Sequence, residues 1–405
     1  MPSLDAVRPR VVLDLERLRH INCGLGRFCL NLARALLQPG EWSQSGCAID
    51  PVLFLPECAG TYLEPLVSAI RPPRLSVPAL RKEVFARWLR PLARPFLTAP
   101  KVDVWHVTHQ TSKYLPFDAR VPVLLTIHDL NFLHDADNKR DPARVARKLA
   151  NIQSKIDRAA ALTTVSQFTA ADVRAHLRVG EKPIYVIPNG MTTPPPASLE
   201  RPDFLPAGPF LLSIGNCLWH KNFHTLLGML EHLPGRRLVI AGKKATPYGR
   251  FIDEELTRRG LRDRVVMPGE VSDGDRQWLY EHCDAFLFPS LAEGFGFPVL
   301  EAMQAGKPVF CSRRTSLPEV AGTAGFFFES FAADVMADTF RRGMEIVQQT
   351  EGFASRQVTH AARYSWDASA ASYRHVYEAI TRGERTTDHS TSSPRASGPD
   401  AACAA

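Results

Sequence analysis

Two acidic residues and two glycines lie close together in one short segment of the chain. Glu293 and Glu301 are separated by seven residues, and Gly294 and Gly296 follow the first of them. Glycine lets a backbone turn freely and approach a ligand closely. Because a carboxylate has two acceptor oxygens, it can bind a pair of sugar or ribose hydroxyls. The segment therefore has the residue types for carbohydrate binding. The alternative is that Glu301 only complements the dipole of its own helix and that Glu293 is a solvated acid in a loop.

The neighbouring residues predict the elements that position these side chains. Ala285–Phe288 is an apolar run typical of a buried strand, and Pro298 suits the first turn of a helix, where its missing N–H is no loss. A helix that begins at Phe297–Val299 would present free N–H groups and a positive dipole end, both of which favour phosphate. The sequence therefore predicts adjacent positions for a phosphate and a sugar.

Three other patterns carry weaker signals. His128 follows the apolar run Val123–Ile127, and a lone histidine at a strand end is more often structural than functional. The loop with Gly24 and Gly26 lacks the third glycine of a nicotinamide-binding turn, so that function is disfavoured. Asp135-Ala-Asp137 fits a short metal-binding pattern, but no supporting ligands accompany it.

Short apolar runs alternate with helical patterns along the chain, which is typical of parallel sheets with helices on both faces. The proline-rich stretch Thr192–Pro209 separates two such series and predicts a linker near residue 200. Ligands of these sheets bind beyond the carboxyl ends of the strands, so a cleft between two domains is the expected site. The predicted strands are Val11–Asp14, Pro51–Leu55, Val104–Val107, Val123–Ile127, Leu162–Val165, Ile184–Ile187, Phe210–Ile214, Leu238–Ala241, Val265–Met267, Ala285–Phe288, Pro308–Phe310 and Phe326–Phe328.

Length and composition fit a soluble protein of two α/β domains. The chain has 405 residues, of which 45% are hydrophobic and 22% charged. The 49 basic and 42 acidic residues give a net charge of +7, which suits an anionic ligand or membrane face, and no basic aromatic pattern indicates nucleic acid. The eight cysteines are scattered and include no C-x-x-C pair, which argues against a zinc site. A disulfide framework is not expected in a chain of this size, which favours a reducing compartment.

The chain contains no uninterrupted apolar run long enough to cross a membrane. We therefore expect a cytoplasmic protein, or one that is peripheral on the inner face of the cytoplasmic membrane. Residues 71–94 combine arginines with apolar residues at helical spacing, which fits either an ordinary surface helix or a basic amphipathic face that contacts anionic lipid. Residues 383–405 are poor in large apolar groups and are expected to be a disordered tail.

The glutamate segment also resembles a known family. Glu293 and Glu301 match the E-x7-E signature of retaining glycosyltransferases with the GT-B fold, and Pro289–Met303 resembles glycosyltransferase family 4, most closely mannosyltransferases that use GDP-mannose. Other matches follow in the family's order along most of the chain. They are Gly24–Arg27, Thr126–Asp129, Thr164–Ser166, Ile187–Gly190, Gly215, Lys221–Asn222, Pro268–Gly269, Val271–Ser272 and Leu317–Glu319.

The resemblance implies two Rossmann-like α/β domains that face each other across a cleft. Residues 1–195 would form the acceptor-side domain, and a terminal helix at 366–382 would return to it. Residues 205–365 would form the nucleotide-sugar domain. A hinge is expected near residues 365–367, where the chain crosses back.

The resemblance also implies roles for individual residues. Glu301 would bind the donor ribose, Glu293 the transferred sugar and Lys221 the pyrophosphate. Val271 would lie near the base, and His128 would bind the donor sugar or position the acceptor. The candidate catalytic residues are thus His128, Lys221 and Glu293. The other donor-binding positions are Gly24, Gly26, Arg27, Gly215, Asn216, Gly294, Phe295, Gly296 and Phe297.

One position departs from the family pattern. Asn216 stands where relatives often have an arginine that pairs with the phosphate-binding lysine. Either the second phosphate cation is missing, or Arg27 supplies it from the other domain.

The implied function is retaining transfer of a hexose, with mannose favoured, from a nucleotide-sugar donor. The acceptor would be a glycan or lipid-linked saccharide in cell-surface polysaccharide or lipopolysaccharide assembly. The resemblance implies no catalytic metal, and no other cofactor is expected, because the nucleotide-sugar is a substrate. The alternatives are a non-catalytic nucleotide-sugar-binding or scaffold protein and a phosphorylase-like or epimerase-like enzyme with the same fold.

Overall fold

Two parallel β-sheets, one of seven strands and one of six, form the framework of the molecule. With their helices they make two doubly wound α/β units in tandem, as the sequence predicts. The computed structural model describes residues 8–21, 23–38, 49–56, 62–64, 74–77, 102–116, 118–134, 141–198 and 200–383.

The strands of the first sheet are β1 (Arg10–Asp14), β2 (Asp50–Pro56), β3 (Arg74–Val77), β4 (Val104–Val107), β5 (Val123–Ile127), β6 (Ala161–Thr164) and β7 (Ile184–Val186). Their order is β3-β2-β1-β4-β5-β6-β7. The chain thus builds outward in one direction from β1 and then in the other direction from β4. Such a reversal leaves a crevice beyond the carboxyl ends of β1 and β4, where ligands of these folds bind.

The strands of the second sheet are β8 (Leu211–Ile214), β9 (Leu238–Ala241), β10 (Val265–Gly269), β11 (Ala285–Phe288), β12 (Val309–Ser312) and β13 (Phe326–Phe328). Their order is β10-β9-β8-β11-β12-β13, so the reversal lies between β8 and β11. The segments that follow these two strands contain Lys221 and Glu293. The topology therefore brings two of the candidate catalytic residues to one crevice.

Helices cover the sheets, and all four residues of β6, β9, β11 and β12 are buried, as expected for strands covered on both faces. The helices in the described residues are α1 (Gly24–Leu37), α2 (Pro142–Arg158), α3 (Gln167–His176), α4 (His224–Glu231), α5 (Pro247–Arg258), α6 (Asp273–His282), α7 (Phe297–Gln304), α8 (Leu317–Ala321), α9 (Ala333–Gln349), α10 (Phe353–Ala361) and α11 (Trp366–Arg382).

The terminal helix α11 packs on the first sheet rather than on the second. Trp366, Tyr373 and Tyr377 belong to the same apolar core as β1 and α1. The Tyr377 hydroxyl also lies 2.8 Å from Nδ1 of His106 on β4. The chain therefore crosses between the two units twice.

The two crossings run beside each other. The N–H of Met191 donates to the Tyr364 carbonyl at 2.8 Å, and the Ser369 hydroxyl donates to the Pro188 carbonyl at 2.6 Å. A side chain at Gly190 would place its Cβ 2.1 Å from the Trp366 nitrogen. This contact explains the glycine, since the two crossing segments of the chain lie backbone to backbone there. The domain boundaries at residues 195 and 205 and the hinge stay predictions.

All twelve predicted strands are present, with ends displaced by at most two residues. The seventh strand of the first sheet, β3, was not predicted, because it lies inside the segment 71–94, whose apolar residues at helical spacing favoured a helical interpretation. Its backbone pairs with β2 at the edge of the sheet, and the rest of that segment lies outside the described residues. So do Asp135, Asp137 and residues 384–405. Within the described residues, no helix is both long and apolar enough to span a membrane.

Candidate active site

Lys221 lies at the end of a short 3-10 turn, Trp219–Lys221, that follows β8. The next residue, Asn222, has a left-handed backbone with φ of 58° and ends the turn. Gly215 has φ of 157°, and a Cβ there would lie 3.3 Å from Cε of Lys221. The glycine thus leaves room for the lysine stem to run back along the end of β8, which carries the ammonium group to the crevice.

The Lys221 ammonium group is paired with Glu293. Its Nζ lies 2.6 Å from Oε1 of Glu293 and 4.9 Å from the centre of the Phe288 ring. The Ser290 hydroxyl donates to the same Oε1 at 2.6 Å. Both charged side chains are only 13% exposed, so their attraction is screened less than that of a surface pair. Glu293 therefore holds Lys221 in place.

The loop from Glu293 to Gly296, here called the donor loop, is held by the residues just before α8. The Glu293 N–H donates to Oγ1 of Thr315 at 3.0 Å. The Ser316 hydroxyl lies 3.0 Å from the Glu293 carbonyl and 2.9 Å from the Phe295 carbonyl. Because Gly296 has φ of 113°, the loop can turn directly into α7. The donor loop is thus a fixed part of the crevice.

The start of α7 offers fewer backbone donors than the sequence predicts. Pro298 has no N–H, and the Val299 N–H already donates to the Gly296 carbonyl at 3.0 Å. Of the three residues Phe297–Val299, only Phe297 could offer an N–H to a phosphate. The prediction that Lys221 and this helix start together stabilise the leaving phosphate stays a prediction, and on the helix side it now depends on the single N–H of Phe297.

Glu301 projects from the same helix, one turn after Pro298. Its Oε2 accepts a hydrogen bond from the buried Tyr280 hydroxyl at 2.8 Å. Burial and the neighbouring carboxylate raise the pKa of Tyr280 well above its ordinary value, so it stays a donor. No hydrogen bond from the described residues reaches Oε1 of Glu301, which can accept from a ribose hydroxyl.

The remaining donor-binding candidates in the second unit divide into backbone and structural positions. The Phe295 side chain is buried against Phe297 and Tyr364, so only its backbone can face a donor. Asn216 accepts from the Lys243 N–H at 3.2 Å through Oδ1, so it links two loops, and its contact with the donor stays a prediction. Val271 lies half-buried between β10 and α6, at the carboxyl end of the sheet.

The first turn of α1 contains Gly24, Gly26 and Arg27, which the sequence placed in a loop. The helical pattern of the sequence covers Arg27–Leu37, whereas the helix begins at Gly24 because Cys23 caps it, with Sγ accepting from the Gly26 N–H at 3.4 Å. A Cβ at Gly26 would lie 2.3 Å from the His20 carbonyl oxygen, whereas nothing lies within 4 Å of one at Gly24. Gly26 therefore serves close packing, and Gly24 leaves open space.

Arg27 reaches across to the second unit. Its Nη2 lies 3.2 Å from Oδ1 of Asp273, which is also 3.2 Å from Arg276. The Arg27 side chain is 36% exposed and Asp273 is 64% exposed, so this pair adds little stability. In this state Arg27 bridges the two units, and its role as a phosphate cation stays a prediction.

His128 lies at the carboxyl end of β5, on the first unit's side of the cleft. The surface formed by His128 and Asp129, which meets the donor loop at Gly294, is here called the His128 wall. Nε2 of His128 donates to the Thr108 carbonyl at 2.8 Å, which leaves Nδ1 as the unprotonated nitrogen. The Phe28 ring contacts it edge-on at 4.5 Å between centroids. Burial lowers the pKa of His128 from 6.5 to about 4. At neutral pH the ring is therefore an uncharged acceptor, suited to a hydroxyl group.

This shift predicts a pH dependence of stability. Between pH 6.5 and 4 the unfolded chain binds a proton at His128 that the folded chain excludes, so stability falls as the pH falls through that window. We expect the free energy of unfolding, measured in urea, to fall between pH 7.5 and pH 5 for both proteins. The fall should be about 2 kcal/mol smaller for His128→Gln than for the wild type. The same substitution at the exposed His232 is the control, and an equal loss in all three proteins would contradict the assignment.

The donor loop meets the first unit at Gly294. The Ser166 hydroxyl donates to the Gly294 carbonyl at 2.9 Å. A Cβ at Gly294 would lie 2.3 Å from the His128 carbonyl oxygen and 2.8 Å from Cβ of Asp129. The structure thus brings Lys221, Glu293 and the His128 wall to one cleft, as the sequence predicts.

Several residues that hold this cleft together carry no individual signal in the sequence. Ser290, Thr315, Ser316 and Tyr280 position the lysine and glutamate side chains or the donor loop. Only Ser290, directly after a buried strand at the switch point, could have been found by asking which polar residues end strands. The others depend on contacts between distant parts of the chain.

Comparison with known proteins assigns the chain to a family. Residues 23–193 match the family model described as Glycosyltransferase Family 4, and residues 200–352 match the model described as Glycosyl transferases group 1. Together the two matches span both units, and the glutamate pair and the donor loop lie within the second. The chain belongs to glycosyltransferase family 4.

Curated relatives of this glycosyltransferase include mannosyltransferases. It is 27% identical over 312 residues to O-antigen chain mannosyltransferase B of Escherichia coli, covering 70% of this chain and 79% of the relative. It is 39% identical over 171 residues to the serotype-specific mannosyltransferase WbdA of Escherichia coli, covering 40% of this chain. That match spans only 20% of WbdA, which is a much longer protein.

Solved structures similar to this glycosyltransferase share its fold. HepE from Anabaena, solved in complex with UDP and glucose, is 18% identical with a TM-score of 0.63, covering 92% of this chain and 100% of HepE. Sucrose-phosphate synthase from Thermosynechococcus elongatus is 16% identical with a TM-score of 0.67, covering 93% and 100%. The predicted GT-B fold is confirmed.

Proposed function

We propose that this glycosyltransferase moves mannose from a nucleotide-diphosphate donor to a hydroxyl group of a glycan or lipid-linked saccharide, with retention of configuration. The observation that carries the proposal is the placement of Lys221 beside Glu293 at the switch point of the second sheet, with Glu301 on the adjoining helix. Mannose is favoured because curated relatives are named mannosyltransferases.

The geometry supports a reaction that depends on charge stabilisation rather than on a covalent intermediate. Glu293 is held by Lys221 and Ser290, so its carboxylate is not free to attack the sugar. The bond between the anomeric carbon and the phosphate oxygen breaks, and Lys221 stabilises the negative charge on the leaving diphosphate. The acceptor oxygen bonds to the same face of the anomeric carbon, and its proton passes to the departing phosphate oxygen. No metal takes part in this scheme.

His128 has a supporting role in this scheme. Its ring is neutral with Nδ1 unprotonated, and its backbone carbonyl lies beside Gly294 of the donor loop. From there it accepts a hydrogen bond from a hydroxyl of the donor sugar or of the incoming acceptor. Since it remains uncharged, it does not compete with Lys221 for the diphosphate.

The acceptor belongs to surface polysaccharide assembly in this proposal, because relatives are named for O-antigen chains. A lipid-linked acceptor would bring the enzyme to the inner face of the cytoplasmic membrane. Contact of residues 71–94 with anionic lipid is part of the same proposal, since that segment carries an excess of arginine.

A donor screen tests the proposal. Thermal shifts of the full chain with UDP-, GDP-, ADP- and dTDP-sugars should single out GDP-mannose, and Glu301→Ala should abolish that shift. Glu281→Ala is the matched control, because this glutamate lies on the exposed face of α6 and should keep the shift. Product NMR should then show the anomeric configuration of the donor. An inverted linkage, or selection of another sugar, would overturn the corresponding part of the proposal.

A further inference from the structure

Glu319 connects the donor-binding unit to a helix of the other unit. It lies on α8, and its carboxylate accepts from the backbone N–H of Gln167 at 2.9 Å and from that of Phe168 at 3.3 Å. These are the first two residues of α3 in the first unit. A glutamate 152 residues away in sequence thus meets a helix N-terminus across the cleft.

The first turn of α3 needs these contacts, because the initial N–H groups of a helix have no partner within it. Ser166 caps the helix and accepts from the Thr169 N–H at 3.1 Å, which satisfies one of them. Glu319 satisfies the two that precede it. A carboxylate is also the favourable charge at the positive end of a helix. The first turn of α3 is thus completed only by a residue of the other unit.

The same contact is linked to the donor loop. Glu319 follows Thr315 and Ser316 by a few residues, and these two hold the backbone of Glu293 and Phe295. From the other side, Ser166 at the cap of α3 donates to the carbonyl of the donor-loop residue Gly294. One short segment therefore holds both the donor loop and the helix that the loop faces.

We infer that Glu319 is a positioning residue that sets the donor loop against the His128 wall when the two units are together. It touches neither the donor nor the reacting atoms. Its carboxylate fixes the first turn of α3, and the capping residue Ser166 then meets Gly294 at a defined distance. The inference rests on the proposed function, in which sugar transfer requires both walls of the cleft.

Kinetics and nucleotide binding of the full chain test the inference. We expect Glu319→Ala to lower kcat at least tenfold while the dissociation constant for the nucleoside diphosphate stays within twofold, since Lys221 and Glu301 are intact. Glu319→Gln should recover part of kcat, because an amide oxygen still accepts an N–H bond but lacks the charge. Glu329→Ala is the control, since this exposed glutamate pairs only with Arg313 among the described contacts, and it should behave as wild type. Unchanged kcat in Glu319→Ala, or a parallel loss of nucleotide affinity, would overturn the inference.

A second measurement does not depend on the reaction. Amide hydrogen exchange of a peptide that covers Gln167 and Phe168 should be faster in Glu319→Ala than in wild type, and unchanged in Glu329→Ala. If exchange accelerates but no sugar is transferred by any variant or by wild type, the proposed function fails while the contact stands. If exchange is the same in all proteins, the positioning role itself is wrong.

Discussion

Replacement of Lys221 by alanine is expected to lower kcat/KM by about 10²–10³-fold, the loss typical of removing one preorganised group that stabilises transition-state charge. The reason is that the other residues of the second unit predicted to bind phosphate offer little positive charge in the described structure. Asn216 is tied to the Lys243 backbone, and Pro298 and Val299 offer no free N–H at the start of α7. Steady-state kinetics with the donor identified by the screen measure the effect.

The substitution also removes the stem that packs under Gly215 and over Phe288, so a second variant is needed to separate charge from packing. Lys221→Met keeps the stem and should lose as much activity as Lys221→Ala. Lys307→Ala is the matched control, because this half-buried lysine precedes β12 and so lies at the amino ends of the strands, opposite the switch-point crevice. Near-normal activity in Lys221→Met would show that the ammonium charge is not needed and would contradict the proposed mechanism.

The pairing with Glu293 gives that lysine a second test. Glu293→Gln keeps a hydrogen-bond acceptor near Lys221 but removes the charge that holds the ammonium group. If Glu293 only positions Lys221, this variant should lose less activity than Lys221→Met, and the double variant should lose no more than Lys221→Met alone. Effects that multiply instead would indicate that the glutamate contacts the transferred sugar independently, as the family resemblance implies.

The sequence was most informative where chemistry is local. The spacing of Glu293 and Glu301, the glycines between them and Pro298 predicted a strand, a turn and a helix start, and the structure has this arrangement. Because both sheets are parallel and reverse at a switch point, the alternation of strands and helices also predicted where ligands bind. Lys221 was identified through the family resemblance, since no local pattern distinguishes it from other lysines.

The rest depends on contacts that no local pattern encodes. Ser316 meets the Glu293 carbonyl, and Glu319 meets Gln167, across sequence separations of 23 and 152 residues. The start of α1 was predicted too late, because a cysteine cap and two glycines are weak helix-start signals. The ion pair between Lys221 and Glu293 was also not predicted. The partner of the glutamate in the structure is thus a lysine, whereas the sequence analysis assigned it a sugar.

Gly294 is the donor-loop residue whose substitution should separate nucleotide binding from catalysis most clearly. A methyl group there would place Cβ 2.3 Å from the His128 carbonyl oxygen, and this neighbour is backbone, which cannot rotate away. Gly294 does not have a positive φ, so the added atom rather than backbone strain causes the effect. The least costly response is a wider separation of the donor loop from the His128 wall.

We therefore expect Gly294→Ala to fold with a thermal midpoint near that of wild type and to lose about 10²-fold in kcat/KM, since a displacement of about 1 Å at a reacting centre has that effect. Nucleoside diphosphate affinity should change little, because Lys221 and Glu301 both belong to the second unit. Gly228→Ala is the control, since its nearest neighbour would be Cβ of Ala333 at 3.2 Å, within the second unit and away from the cleft. Full activity in Gly294→Ala would show that transfer does not require the close approach of the two walls, and the cleft described here would then not be the reacting state.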